Sequence, residues 1–193
     1  MIFDTLEQDS HQDYLEYFTF NSGELITLQA DYYWLLQRGI VKTSTWTETG
    51  TPITLGYWSV NDLIGQPLFL LSPYRVECLT EVTAGRIPMA KTNRIINFVQ
   101  HQIRQTEEVL YILHSDKIYQ RLRQILLWLS GKFGQETRHG KLIQLRLTHQ
   151  DLAELVGATR VTVTKTINQL EQEGFLSRPQ RNTIVISQSS QTD

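Results

Sequence analysis

The chain has 193 residues, 40% of them hydrophobic, which suffices for one large domain or two small ones and excludes a disordered or fibrous protein. No run of 18 apolar residues occurs and the start MIFDTLEQDSHQDYLEY is acidic, so neither a membrane span nor a secretory leader is expected, and a cytoplasmic location is. The single cysteine, Cys78, excludes an intrachain disulfide, a four-cysteine cluster and any CxxC motif. The net charge of −2 conceals a division: residues 1–114 hold 7 Lys and Arg against 13 Asp and Glu, a net of −6, whereas residues 115–193 hold 11 against 7, a net of +4. A basic rear behind an acidic front points to a polyanion as the partner of the rear.

From Phe20 to about Met89 the runs YYWLL, IVKTSTW, ITLGYW and RVECLTEV alternate with turn residues at Asn21-Ser22-Gly23, Arg38-Gly39, Thr49-Gly50-Thr51-Pro52, Ser59-Val60-Asn61-Asp62 and Ser72-Pro73. Punctuation of that density predicts a meander of strands over that stretch, making residues 1–90 a small barrel or sandwich with the spacing of a jelly roll. After Pro88 the period becomes helical. Ile96, Val99, Ile103, Thr106, Leu110 and Leu113 follow at alternating steps of three and four, an a/d seam predicting a helix from about Lys91 to His114, roughly 35 Å long. A stripe so narrow suits pairing with a symmetry mate, although packing on the chain's own barrel would also use it.

Ile118, Leu122, Ile125, Leu126 and Leu129 predict a second amphipathic helix ending near Gly131, followed by a loop over KFGQETRHGK and a short strand over Leu142–Leu147. Thr148-His149-Gln150-Asp151 has the capping-box pattern and opens a helix, DLAELV, that stops at Gly157. Ala153 leaves room for a second helix to cross. Thr159 caps that helix, RVTVTKTINQLEQEG, which turns Val163, Ile167 and Leu170 to one side and Arg160, Val161, Thr162, Thr164 and Lys165 elsewhere. Gly174 ends it, and FLSRPQRNTIVIS reads as a hairpin with Arg178 and Arg181 at its tip. The whole is a winged helix-turn-helix over residues 115–193, with Arg160, Val161, Thr162 and Lys165 expected on base edges. Thr148, His149, Thr159, Thr164, Arg178 and Arg181 are expected on phosphates.

The segment LTHQDLAELVGATRVTVTKTINQLEQEGFLSRPQRNTIVI resembles the C-terminal domain of the CRP/FNR transcription regulators. Upstream, Gly39 in LLQRGIV, Asp62-Leu63-Ile64-Gly65 and the long helix ending before Asp116 extend the resemblance over nearly the whole chain. ATRVTVTK is similar to the recognition helix of the cyanobacterial NtcA-like subgroup, whereas CRP-like members have glutamate at the place of Val161. The resemblance implies an α+β protein made of a β-roll sensor or scaffold, a dimerisation helix at 91–114 and a winged helix-turn-helix. It further implies a homodimer on palindromic double-stranded DNA, acting through RNA polymerase.

Within that resemblance the roll departs from the cyclic-nucleotide cassette. Where those members carry Gly-Glu and, further on, Arg-Ser/Thr-Ala, this chain has Gly65-Gln66-Pro67 and Tyr74-Arg75-Val76. Gly65, Gln66 and Arg75 are the candidate effector residues. Gln66 offers no carboxylate to a ribose, so cyclic AMP is not expected, and Gln102 stands where the nitrogen regulators place an arginine for 2-oxoglutarate. The effector is unknown, and no cofactor is implied.

Two other classes compete with this reading. A jelly roll can be a cupin enzyme, but its metal needs clustered histidines. His11 lies before the strands, His101 and His114 on the helix, His139 in a loop and His149 in the capping turn, so no metal site, catalytic residue or enzymatic activity is expected. A winged helix can also serve protein–protein contacts alone, against which the cations of helix and wing speak.

Overall fold

The structure, a computed structural model, describes residues 15–68, 71–90 and 95–188, so the expectation of a helix from Lys91 falls partly outside the described residues. Two compact units divide the chain: residues 1–43 with 57–102, and residues 44–56 with 103–193.

In the first unit the strands are β1 Glu16–Phe20, β2 Tyr32–Arg38, β3 Val41–Trp46, β4 Pro52–Trp58, β5 Leu63–Ile64, β6 Arg75–Cys78 and β7 Val82–Pro88, with a 3-10 turn at Gln66–Leu68. β3 and β4 cross the division between units. The sheet orders are β1-β7-β2-β5 and β4-β3-β6. Neighbours distant in sequence replace the expected meander with a roll. β2 explains why: Tyr32 through Leu36 are all buried, so this strand needs a cover on both faces. Tyr32, Trp34 and Leu36 join one core with Val41, Trp58, Val76 and Val82. Tyr33 and Leu35 turn to a second core with Leu63, Ile87 and Ile95.

Trp34 centres the first core, met edge-on by Phe18, Phe20 and Tyr32 with ring centroids 5.1, 5.6 and 5.1 Å away. Each such pair adds about 0.5–1.5 kcal/mol beyond its area. Gly39 turns β2 into β3 at φ 88°, and a Cβ there would overlap the Glu81 carbonyl oxygen. Both the left-handed backbone and the close approach require glycine.

The second unit contains α2 Ile118–Phe133, β8 Gly134–Thr137, β9 Gly140–Ile143, α3 His149–Val156, α4 Arg160–Gln172, β10 Leu176–Ser177 and β11 Val185–Ser187. Ahead of them α1, Ile96–Leu113, spans the division between units. Leu122, Ile125, Leu126 and Leu129 of α2 are fully buried, forming the floor on which α3, α4 and β9 pack.

Three sequence expectations are corrected. α2 does not end near Gly131, because Ser130 and Phe133 continue its buried stripe and carry the helix one half-turn further. KFGQETRHGK is not a loop but the end of α2 and the β8–β9 hairpin, and the strand expected at Leu142–Leu147 begins earlier and ends at Ile143. β9 pairs with β11, so the wing is one side of a four-stranded sheet ordered β10-β11-β9-β8. Among the described residues no helix is long and apolar enough to cross a membrane.

Candidate nucleic-acid interface

Local hydrogen bonds set the orientation of α3 and α4. The Thr148 hydroxyl accepts from Asp151 N at 3.1 Å while the Asp151 carboxylate accepts from Thr148 N at 3.0 Å, a closed capping box worth about 1 kcal/mol. At the other end Gly157 takes φ 66°, ψ 46°, and its N–H returns to the Ala153 carbonyl, which also accepts from Ala158 N at 3.0 Å. The chain reverses within these residues. Thr159 then caps α4 by accepting from Thr162 N at 3.2 Å.

Arg121 of α2 was not singled out in the sequence. Its guanidinium donates to the Val156 carbonyl at 2.8 Å and to the Ser115 carbonyl at 3.2 Å. A cation thereby meets the last turn of α3, where the helix dipole favours it.

α4 buries Val163, Thr166, Ile167 and Leu170 and leaves Arg160, Val161 and Lys165 exposed. Val161, a valine on a helix, is 65% exposed, an apolar side chain held in water beside two cations. Thr162 and Thr164 are half-buried; the Thr164 hydroxyl donates to the Arg160 carbonyl at 2.9 Å, and Thr166 does the same to Thr162 at 3.0 Å.

Thr148, His149, Arg160, Arg178 and Arg181 line one cleft of about 660 Å³ between the start of α3, the start of α4 and the wing. Within it His149 Nδ1 lies 2.8 Å from the Thr164 hydroxyl. Partial burial, then Arg178 and Arg160, hold the His149 imidazole below its ordinary pKa. Val161, Thr162 and Lys165 lie on the α4 face beyond the cleft lining. The hydroxyls of Thr148, Thr159 and Thr164, expected on phosphates, are already engaged in the caps and in the helix backbone.

The two wing arginines differ. Arg181 is exposed, and its guanidinium makes no hydrogen bond or ion pair among the described residues; the following Asn182 turns the tip at φ 58°. Arg178 is half-buried and engaged with α4: Nε donates to Glu171 at 3.1 Å, Nη2 donates to the same carboxylate, and Nη2 also reaches Asn168 Oδ1 at 2.8 Å. Sequence reasoning passed over Asn168 and Glu171, whose importance comes from a partner on another element.

In the roll, Gly65 is buried, with room for a Cβ only 3.2 Å from Tyr33 Cα, whereas Gln66 and Arg75 are exposed. Gln102 is buried on α1 and its Oε1 accepts from Leu63 N of β5 at 3.2 Å. The seam residues Ile96, Ile103 and Leu110 are each more than half exposed, and Val99 and Leu113 are half-buried. Among the described residues no group of three or more His, Cys, Asp and Glu side chains is arranged to hold a metal ion.

Capped α3, a left-handed glycine turn, an α4 with an exposed cationic face and an attached β-wing make this a winged helix-turn-helix of the DNA-binding class. The family model of the Crp-like helix-turn-helix domain matches residues 120–190. Regulatory protein CysR of Synechococcus elongatus is 39% identical over 166 residues, spanning 83% of this chain and 79% of the relative. The global nitrogen regulator of the same organism is 30% identical over 164 residues, spanning 77% and 74%. In fold, the chain is similar to TTHA1359, a CRP/FNR family transcriptional regulator from Thermus thermophilus, with a TM-score of 0.73 at 23% identity over 89% of this chain and 93% of that one. The chain belongs to the CRP/FNR family of DNA-binding transcription regulators, near its cyanobacterial members, and is not an enzyme.

Proposed function

We propose that the chain acts as a homodimer whose two α4 helices read successive turns of a palindromic duplex. One observation carries this reading: Arg160, Val161 and Lys165 stand exposed on a capped helix, next to a cleft in which Arg181 has no protein partner among the described residues. Arg160 follows the cap and pairs with guanine O6 and N7, Val161 packs on a thymine methyl, and Thr162 and Lys165 serve the neighbouring bases. Those preferences, with the NtcA-like RVTVT string, favour half-sites of GTA type about one helical turn apart, roughly 34 Å. Arg181 and His149 meet phosphates, with the start of α3 around Thr148 and of α4 around Thr159 and Thr164 close to the strand.

Pairing uses Ile96, Val99, Ile103, Leu110 and Leu113; the exposure of Ile96, Ile103 and Leu110 at steps of seven supports it, since a monomer leaves this stripe in water. Residues 1–90 then form the sensor or scaffold, 91–114 the dimer helix and 115–193 the DNA-binding part. An effector of the roll would meet Gly65, Gln66 and Arg75; cyclic AMP is not the expected one. Regulation proceeds through RNA polymerase in the cytoplasm, where the DNA is.

Fluorescence anisotropy on a duplex with two GTA half-sites tests the reading. Binding in the range of roughly 10⁻⁸–10⁻¹¹ M is expected, weakening steeply with salt, against far weaker binding to a scrambled duplex. Equal affinity for the two duplexes overturns it.

A further inference from the structure

Arg178 differs from an ordinary wing cation in what surrounds it. Three of its hydrogen bonds go to two side chains of α4, Glu171 and Asn168, which lie three residues apart on one helix face. The guanidinium fork is planar and presents its donors in fixed directions, so engaging Glu171 with Nε and Nη2 together fixes both distance and orientation. The side chain is 29% exposed and that of Glu171 36%, so the pair is partly screened by solvent and contributes little to stability. Its effect is geometric. Arg178 follows directly on β10, and only two residues separate it from Arg181, which lines the same cleft. The Glu171 carboxyl is held below the usual carboxylate range by Arg178, consistent with a persistent pair.

Resting on the DNA-binding reading above, we propose that Arg178 is a positioning residue, its bridge to Glu171 and Asn168 setting the wing against the recognition helix so that Arg181 reaches the DNA backbone. Arg178 itself does not serve a phosphate. The bridge also neutralises Glu171, a carboxylate on the helix that enters the groove.

The sign of one substitution separates the two roles. Glu171→Gln removes a negative charge near a polyanion and frees Arg178. A phosphate role for Arg178 then requires tighter binding and a salt slope steeper by about one unit. A positioning role requires weaker binding, by about threefold to tenfold, with a salt slope lowered by up to about one unit per subunit as Arg181 leaves its phosphate, and a smaller effect of Arg181→Ala in the Glu171→Gln background than in wild type. Arg178→Lys is the companion: a point charge satisfies a phosphate and retains affinity, but it cannot reproduce the fork and loses affinity in the positioning role. Thermal melts of each variant separate unfolding from displacement, and Arg178→Lys carries the test should Glu171→Gln melt below the assay temperature.

Unchanged or tighter binding of Glu171→Gln, additivity with Arg181→Ala, or full affinity in Arg178→Lys each overturns the proposal. Failure of the wild type to prefer any duplex overturns the DNA-binding reading instead, so the two failures are distinct.

Discussion

His149 on the first turn of α3 and Thr164 on the second turn of α4 are joined by a 2.8 Å hydrogen bond whose polarity is fixed by a third group. The Thr164 hydroxyl has one proton and gives it to the Arg160 carbonyl. Nδ1 of His149 must therefore be the donor, and in the neutral ring Nε2 carries a lone pair.

That tautomer gives DNA binding a pH dependence. Cations face His149 from α4 at Arg160 and from the wing at Arg178, and Arg181 lines the same cleft; of the nearby carboxylates, Asp151 is engaged in the Thr148 cap and Glu171 by Arg178. Burial, then Arg178 and Arg160, hold the free imidazole below its ordinary pKa. A phosphate oxygen only accepts, so a contact with Nε2 requires the proton, and the complex binds more protons than the free protein. Affinity should rise as pH falls through the imidazole region, between about pH 7 and 5, and level off below the free protein's depressed pKa. Anisotropy titrations across that range should show it. In His149→Gln the pH dependence should flatten, with at most one proton per subunit lost; an unaltered profile removes His149 from the phosphate contacts.

Ile103 lies at the middle of the exposed seam and is 52% exposed. In a parallel pair of α1 helices it meets its own symmetry mate. Ile103→Glu should bury two like charges at the two-fold axis and dissociate the dimer, with little effect on the melting of the isolated subunit because the side chain is exposed there. Sedimentation velocity at micromolar concentration reads the outcome, and an intact dimer would place the interface elsewhere.

Gln102 is expected to matter for stability in a way its exposed helix neighbours are not. Its Oε1 satisfies Leu63 N, an amide of a fully buried residue on the short strand β5. Gln102→Leu should strand that amide and cost about 1–3 kcal/mol in urea denaturation. A loss below a few tenths would mean that β5 finds another acceptor.

The DNA-reading half was legible in the sequence because its signals are local. Thr148 with Asp151, Gly157, and Thr159 each act within four residues, and each takes the predicted conformation. The sheet orders were not legible, since β1 pairs with β7 and nothing in either strand names the other. β8 escaped notice for a different reason. As the edge strand of its sheet it exposes Gln135 and Glu136, leaving no apolar period to detect. Arg178 and Arg181 look alike in composition, and only the tertiary position of Glu171 separates them.

The proposed reading gives base readout to Arg160 and backbone affinity to Arg181. Arg160 opens α4 directly after the cap, exposed and without an ion pair among the described residues, so its fork is available to a guanine edge. Losing that pair should cost about 1–3 kcal/mol per half-site and fall only on duplexes that carry the guanine. Arg181 stands exposed on the wing tip, and the contribution proposed for it is a single neutralised phosphate. Arg181→Ala should therefore weaken all sequences alike and reduce the salt slope by about one unit per subunit. In Arg160→Ala, selection from a randomised half-site should return no guanine preference at the position that wild type specifies. Retention of that preference would transfer the readout to Lys165, the next exposed cation on the same helix, since Val161 between them has no hydrogen-bonding group in its side chain to read guanine.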